Sequence, residues 1–325
     1  MYRMKVIQFT QTGGPDVLTL TDLPTPSPKA GDVLVRHTAI GINYIDTYHR
    51  TGLYPVPLPY VPGSEGAGVI EKLGEGVTDL TVGQRVAYVM QPGAYAEYSS
   101  VPADKLVLIP DGMTDQQAAA VLLQGMTAHY LAFTTYPIRP GDTVLIHAGA
   151  GGVGLLLTQI ARMRGARVIT TVSIEEKAQL SRENGADEVI LYTQTDFADE
   201  VKRLTGGQGV HAVYDSVGKT TFEGSLNCLK PVGMMVSFGN ASGAVPPFAP
   251  ALLASKGSLM FTRPSLAHYI LTRSALLERA TTLFNWVVEG KLTVHIQPTY
   301  ALADAAQAHR DLEARKTTGK LLLIP

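Results

Sequence analysis

This chain of 325 residues has one cysteine and no sustained run of like charge, and each scarcity removes a class of function. A single Cys228 permits no intrachain disulfide, no four-cysteine structural zinc and no catalytic zinc built on several cysteines. It lies in FEGSLNCLKPVG, where it reads as a small buried apolar residue at a helix end before a turn rather than as a catalytic thiol. The 27 basic and 28 acidic residues leave a formal charge of −1, without the clustered cations of a nucleic-acid footprint. The first residues, MYRMKVIQFTQTGGPDVL, lack the basic start, apolar run and small-residue cleavage site of a signal peptide, which points to a cytoplasmic protein. The stretch 143–161 has no formal charge, but four glycines in six positions predict a buried strand and helix instead of a membrane span.

Glycine is plentiful, at 32 residues, and it makes the most informative segment of the chain. Residues 143–162 read TVLIHAGAGGVGLLLTQIAR, a β-branched run that breaks at glycines into a long apolar helical stretch. Gly149, Gly151 and Gly154 fit G-x-G-x-x-G between strand and helix, and ARVITTVS completes a βαβ unit around them. In that setting Gly149 supplies the tight turn, Gly151 admits a pyrophosphate to the backbone, and Gly154 lets helix pack on strand. Gly152 and Val153 lie in the same turn, where the first N–H groups of the helix face the anion. A glycine-rich surface turn is the bland alternative, and the βαβ context disfavours it.

The length predicts two domains. The first 110 residues hold the β-like runs KVIQF, DVLVRHTAI, GAGVIEKLG, QRVAYV, AYAEYSSV and LVLIP, punctuated by TPSPKAG and YPVPLPYVPG, so a mostly β fold is expected. From DQQAAAVLLQGMTAHYLAF onward, helices alternate with TVLIHA, RVITTV, EVILY, AVYDSV and GMMVSFG. That is the pattern of a doubly wound parallel sheet, with KGSLMFTR as a sixth strand. The tail predicts two helices, ALLERATTLFNWVVEGK and DAAQAHRDLEAR, and a last strand, LLLIP.

Separated segments, GGPDVL (13–18), GINYIDTYHRTGLYP (41–55), PGSEGAGVIEKLGEGV (62–77), HAGAGGVG (147–154), YDSVG (214–218), VSFGN (236–240) and TRPSL (262–266), carry a resemblance over the whole length. In order and spacing the chain resembles the zinc-independent quinone oxidoreductases of the medium-chain dehydrogenase/reductase superfamily. The resemblance implies an α/β protein: a GroES-like β-rich catalytic domain at residues 1–124 and 265–325, and a Rossmann NADPH-binding domain at 125–264. It also implies a homodimer, paired through KGSLMFTR as the last Rossmann strand.

Zinc alcohol dehydrogenases of the same superfamily carry G-H-E-x-x-G, where this sequence reads Gly63-Ser64-Glu65-Gly66-Ala67-Gly68. Asn43 and Gln124 stand in the frames of two further ligands. A hydroxyl and two amides do not hold zinc as imidazole and thiolates do, so no metal is expected and alcohol oxidation loses its Lewis acid. Glu65 is then expected to bond local backbone or a basic side chain.

The second Rossmann strand ends at Ser173 with no carboxylate at its tip, which reduces the repulsion that rejects a 2′-phosphate. Ser173 and Lys177 can hold that phosphate, and the resemblance adds Tyr192 and Arg315, so NADPH is the expected cofactor. A solvated Lys177, a strand-end Tyr192, and Glu175 or Glu176 reaching a ribose are the alternatives. Around the nicotinamide and substrate cleft, the resemblance places Asn43, Tyr44, Asp46 and Tyr48 on the GroES-like side. It places Tyr130, Ser216, Phe238, Gly239, Asn240 and Arg263 on the Rossmann side. Asn43, Tyr44 and Tyr48 are the candidate catalytic residues. The structural alternatives are Tyr44 and Tyr48 as core aromatics, Asp46 as a cap and Arg263 as an ion-pair partner.

A quinone is already electrophilic, so hydride transfer to it needs close approach and a dry cleft rather than a metal. Tyr48 and His49 are candidate proton donors, although HRTGLYP reads as a turn and makes His49 a solvated loop histidine. His129 reads as packed against its helix neighbours. The expected function is NADPH-dependent quinone reduction by direct hydride transfer, with a small quinone as substrate and neither nucleic acid nor membrane as partner. Reduction of activated C=C bonds in 2-alkenals or enones needs the same open cleft, and a non-catalytic nucleotide- or RNA-binding role is an alternative of another class.

Overall fold

A computed structural model describes residues 2–325, the side chain of Pro298 excepted. The chain opens with the antiparallel pair β1 (Arg3–Gln8) and β2 (Thr19–Pro24). Next come β3 (Asp32–Gly41), α1 (Tyr44–Thr51), β4 (Glu65–Leu73), β5 (Arg85–Val89), β6 (Tyr98–Pro102), β7 (Val107–Leu108) and α2 (Asp115–Tyr130), which ends in a π-helical turn at Leu131–Thr135. Strands and helices then alternate: β8 (Thr143–Ile146), α3 (Gly152–Met163), β9 (Arg167–Val172), α4 (Glu175–Glu183), β10 (Glu188–Leu191), α5 (Phe197–Leu204), β11 (Val210–Asp215), α6 (Phe222–Cys228), β12 (Leu229–Ser237), α7 (Ala251–Ser255) and β13 (Met260–Thr262). The chain closes with α8 (Leu266–Tyr269), α9 (Arg273–Val288), β14 (Ile296–Ala301), α10 (Ala305–Glu313) and β15 (Lys320–Ile324).

Two compact units result, one of residues up to Met126 with Ile270–Pro325, the other Thr127–Tyr269. In the first, a seven-stranded sheet runs β14-β15-β3-β4-β5-β7, with β6 also paired to β3. One edge of β3 meets β4; the other is shared, residues 32–36 pairing with β6 and Ile40 and Gly41 with β15. Ile7, Val33, Val35, Ile40, Ile70, Val86, Tyr88, Leu321 and Leu323 form its core.

The second unit is a parallel sheet in the order β10-β9-β8-β11-β12-β13. Val144, Leu145, Ile146, Val168 and Ile169 are fully buried, as continuous apolar runs are in a sheet covered by helices on both faces. The order reverses between β8 and β11, and the crevice at the carboxyl ends of such strands is where doubly wound sheets bind ligands. No helix of the described residues is long and apolar enough to cross a membrane.

Three local readings change. HRTGLYP is not a turn throughout: its first residues belong to α1, nucleated by a capping box in which Asn43 and Asp46 bond each other's backbone, and stopped by Gly52 at φ 83°. Cys228 is buried at the end of α6 as expected, but the chain passes directly into β12 without a turn. The strands β2 and β14 are additional to those expected, and LVLIP contributes only two strand residues.

Candidate active site

The carboxyl ends of the parallel strands carry most of the expected cofactor residues in one row. Tyr192 follows β10 and donates its N–H to Val172 at the end of β9, 3.1 Å away; Ser173 is the next residue there. The glycine turn follows β8 and Ser216 follows β11. Phe238, Gly239 and Asn240 follow β12, and Arg263 follows β13. Gly239 is forced by this crowding, since a Cβ would stand 2.8 Å from Ser216 Cα. Arg263 donates to the Ser237 carbonyl at 3.0 Å and so holds the end of β12. Tyr130 also lies in this unit, but it is 2% exposed and stacked on Tyr269 with centroids 4.1 Å apart, so its ring is covered.

The turn itself departs from expectation at one point. Its left-handed residue is Ala148, with φ 53°, and not Gly149. Gly149 is required because a Cβ would stand 2.5 Å from Thr170 Cβ on β9. Gly154 is required because its Cβ would run into the Ala148 carbonyl. Gly151 is the N-cap of α3, and Leu155 N–H to Gly151 O, 2.9 Å, is the first helical bond. The N–H groups of Gly152, Val153 and Gly154 precede it, as a dinucleotide pyrophosphate requires.

Lys177 is in the first turn of α4, half-buried, four residues beyond Ser173 in sequence. Glu175, the alternative ribose ligand, is held along the helix by Arg182 at 2.6 Å. No carboxylate occupies the tip of β9.

Asn43, Tyr44, Asp46, Tyr48 and Arg315 belong to the first unit. Asn43 is 4% exposed, and its amide is occupied at both ends: Nδ2 donates to Glu65 Oε1 at 2.7 Å and Oδ1 accepts from Lys320 Nζ at 2.8 Å. Lys320 also ion-pairs with Glu65, whose other oxygen accepts Leu123 N–H at 2.8 Å. Glu65 therefore holds a buried ammonium and backbone, as its sequence frame suggested. Among the described residues no group of three or more His, Cys, Asp or Glu could hold a metal ion.

Asp46, expected at the cofactor, is fully buried. Its carboxylate accepts Asn43 N–H at 2.8 Å and Tyr95 Oη–H at 3.0 Å, and so anchors the first turn of α1. Tyr95 in turn contacts His309 Nε2 at 3.0 Å, and His309 Nδ1 lies 3.3 Å from Arg50, which donates two hydrogen bonds to the Glu313 carboxylate at 3.0 and 2.7 Å. The aromatic rings of α1 are thus mounted on a buried polar frame. Tyr48 packs against Tyr44 and Tyr54 and is 8% exposed; Tyr44 donates to the Leu312 carbonyl at 3.1 Å, three residues before Arg315. His49 is not a solvated loop residue but sits in the last turn of α1, half-buried against Tyr54 and Tyr60. His129 stacks on Phe133, one helical turn on, as expected.

Residues 29–111 match the alcohol dehydrogenase GroES-like domain, and residues 152–286 the zinc-binding dehydrogenase family. The chain is 49% identical to a quinone oxidoreductase of Pseudomonas aeruginosa, over 99% of both chains. The chain belongs to the quinone oxidoreductase family of medium-chain dehydrogenases/reductases. The Escherichia coli quinone oxidoreductase crystallised with NADPH superposes with a TM-score of 0.97 at 45% identity, covering 99% of this chain and 100% of that one. A 2-haloacrylate reductase from Burkholderia is 45% identical over 96% of each chain.

Within this family member, Lys320, Arg50, Tyr95 and His309 are parts of the site's frame that sequence reasoning missed. Each is a lone polar residue in an apolar or mixed run, and only the folded chain supplies its partner. The buried histidines set an acid limit. Burial lowers His37 from 6.5 to about 4, and burial and then Arg50 lower His309 to about 3. Between pH 6.5 and 4 the unfolded chain binds a proton at each that the folded chain refuses, so their contribution is lost as pH falls. Burial lowers His147 as well, while it pushes Asp46 up to about 7, which acts oppositely for one proton. Stability is therefore expected to fall as pH drops below roughly pH 6. Urea unfolding between pH 6.5 and 4.5 measures this slope, and a flat profile would contradict it.

Proposed function

We propose that the chain reduces quinones with NADPH by direct hydride transfer, without a metal. The observation that carries this reading is the row along the carboxyl edge of the parallel sheet: the first N–H groups of α3 at Gly152–Gly154, with Ser173 and Tyr192 at the ends of the neighbouring strands and Lys177 in the first turn of α4. When bound, NADPH supplies the hydride. The glycine turn receives its pyrophosphate, and the helix N-terminus stabilises that charge. Ser173, Lys177 and Tyr192 take the 2′-phosphate, while Ser216, Phe238, Gly239, Asn240 and Arg263 border the nicotinamide. Tyr44 and Tyr48 offer flat apolar walls for a ring substrate. Asn43, locked to Glu65 and Lys320, holds the start of α1 and the tyrosines it carries.

If Lys177 makes a charge-assisted bond to the phosphate, Lys177→Ala is expected to weaken NADPH binding about ten- to a hundredfold and leave NADH nearly unaffected. Titration with both cofactors reads this; an unchanged NADPH:NADH ratio removes Lys177 from the site.

The relative named 2-haloacrylate reductase favours a second reading, reduction of an activated C=C bond. Steady-state kinetics with 1,4-quinones and with 2-alkenals and 2-haloacrylate separate the two. A kcat/KM much higher on the alkenes would sink the quinone assignment.

The assembly proposed is a homodimer through β13, the edge strand of the parallel sheet, where Met260 is 42% exposed. Light scattering at micromolar concentration is expected to give twice the chain mass; a monomer mass refutes the dimer.

A further inference from the structure

Directly beneath the glycine turn lies a buried chain of hydrogen bonds that no part of the reaction described above employs. Thr171 Oγ1 is 2.9 Å from His147 Nδ1, and His147 Nε2 is 3.0 Å from Ser225 Oγ. Ser225 donates to Asp215 Oδ2 at 2.9 Å, and Thr221 donates to the same oxygen at 2.7 Å. The other oxygen, Oδ1, accepts Val217 N–H at 2.8 Å and Gly218 N–H at 3.0 Å. His147, Thr171, Asp215 and Ser225 are each no more than 2% exposed.

The polarity of the chain is determined by its end. Asp215 accepts at both oxygens, so the single hydroxyl proton of Ser225 points to it, and Ser225 Oγ is left to accept from His147 Nε2–H. His147 Nδ1 then has no proton and accepts from the Thr171 hydroxyl. One neutral tautomer satisfies every group, and a buried network with all members satisfied is rigid.

Both ends of this relay join loops of the cofactor edge. Thr171 O accepts Gly149 N–H at 3.0 Å, and His147 N–H reaches Tyr214 O at 3.0 Å, so the turn is tied to β9 and β11 where it leaves β8. At the far end, Ser216 O accepts Ala241 N–H at 3.2 Å and Val217 O accepts Ser242 N–H at 2.8 Å, which links the loop after β11 to the loop after β12. We propose that His147 is a positioning residue for the dinucleotide: through Thr171 on one side and Ser225–Asp215 on the other, it holds the pyrophosphate turn in register with the loops that border the nicotinamide. His147 does not touch the cofactor, and the proposal rests on the NADPH reading above. A preorganised site loses less freedom when a ligand binds, so the relay acts on affinity.

The test uses the full chain and three variants. Thr171→Val removes one donor at constant shape, His147→Leu removes both ring bonds, and His147→Gln restores an acceptor and a donor. Direct NADPH titration by fluorescence is expected to show binding weakened about threefold to tenfold in Thr171→Val and about thirty- to a hundredfold in His147→Leu. His147→Gln is expected to recover most of the loss, and the effect to fall on KM for NADPH rather than on kcat. Hydrogen exchange of the cofactor-free protein is expected to accelerate at 148–155 in the same order. NADPH affinities within twofold of the parent in both Thr171→Val and His147→Leu would overturn the proposal, as would equal losses in His147→Gln and His147→Leu. Should His147→Leu fail to fold, Thr171→Val decides alone. A parent chain that binds no NADPH refutes the cofactor reading instead, and the exchange rates of the cofactor-free variants still report on His147.

Discussion

Lys320→Met is expected to destabilise the first unit by about 3–5 kcal/mol, because it leaves Glu65 as a buried anion without its cation. Glu65 is fully buried and Lys320 is 1% exposed, so water cannot replace the lost partner. Asn43 Oδ1 loses its donor at the same time, which loosens the N-terminus of α1 and the tyrosines it carries. Burial lowers the Lys320 pKa from its usual range, and Glu65 is the largest influence opposing that shift. Adding Glu65→Gln to Lys320→Met removes the stranded charge while keeping an acceptor for Leu123 N–H, and is expected to recover roughly half of the loss or more. Trp286, the single tryptophan, lies in α9 of the same unit and makes urea unfolding by fluorescence a suitable measurement. A single variant within about 0.5 kcal/mol of the parent would show that the pair contributes no more than a surface ion pair does.

The second large effect separates two glycines of one motif. Gly154→Ala drives its Cβ into the Ala148 carbonyl, so both stability and NADPH binding are expected to suffer, with affinity down about a hundredfold or more, roughly 2.7 kcal/mol. At Gly151 the nearest atom to a Cβ is Ala148 O at 3.2 Å, a tight but adjustable contact at an ordinary backbone angle, φ −78°. Gly151→Ala should therefore fold with stability within about 1 kcal/mol of the parent, yet bind NADPH poorly because the methyl stands where the pyrophosphate approaches. Fluorescence titration beside thermal unfolding distinguishes the two. Equal NADPH affinity in Gly151→Ala and the parent would mean that the phosphate does not approach the backbone at that residue.

Much of the cofactor edge is legible in the sequence because its signals are local. A G-x-G-x-x-G between a β-branched run and an apolar helical run needs no distant partner to be recognised, and Ser173 with Lys177 is read from the next strand and helix. The identity of the left-handed residue is not legible: the motif suggests glycine, whereas the fold places Ala148 there and uses Gly149 for clearance against Thr170. His49 and α1 were hidden for a related reason. A short helix rich in tyrosine and threonine has weak intrinsic propensity, and what holds it is the frame of Asp46, Tyr95, His309 and Arg50 gathered from distant parts of the chain.

The sequence by itself determined the doubly wound sheet and the dinucleotide turn, since each follows from residue type and short-range spacing. The tertiary structure alone decided how the buried polar groups are paired. It brought Lys320 from the last strand to Glu65 and Asn43, and His147 between Thr171 and Ser225, because a buried polar group must find partners wherever the fold supplies them.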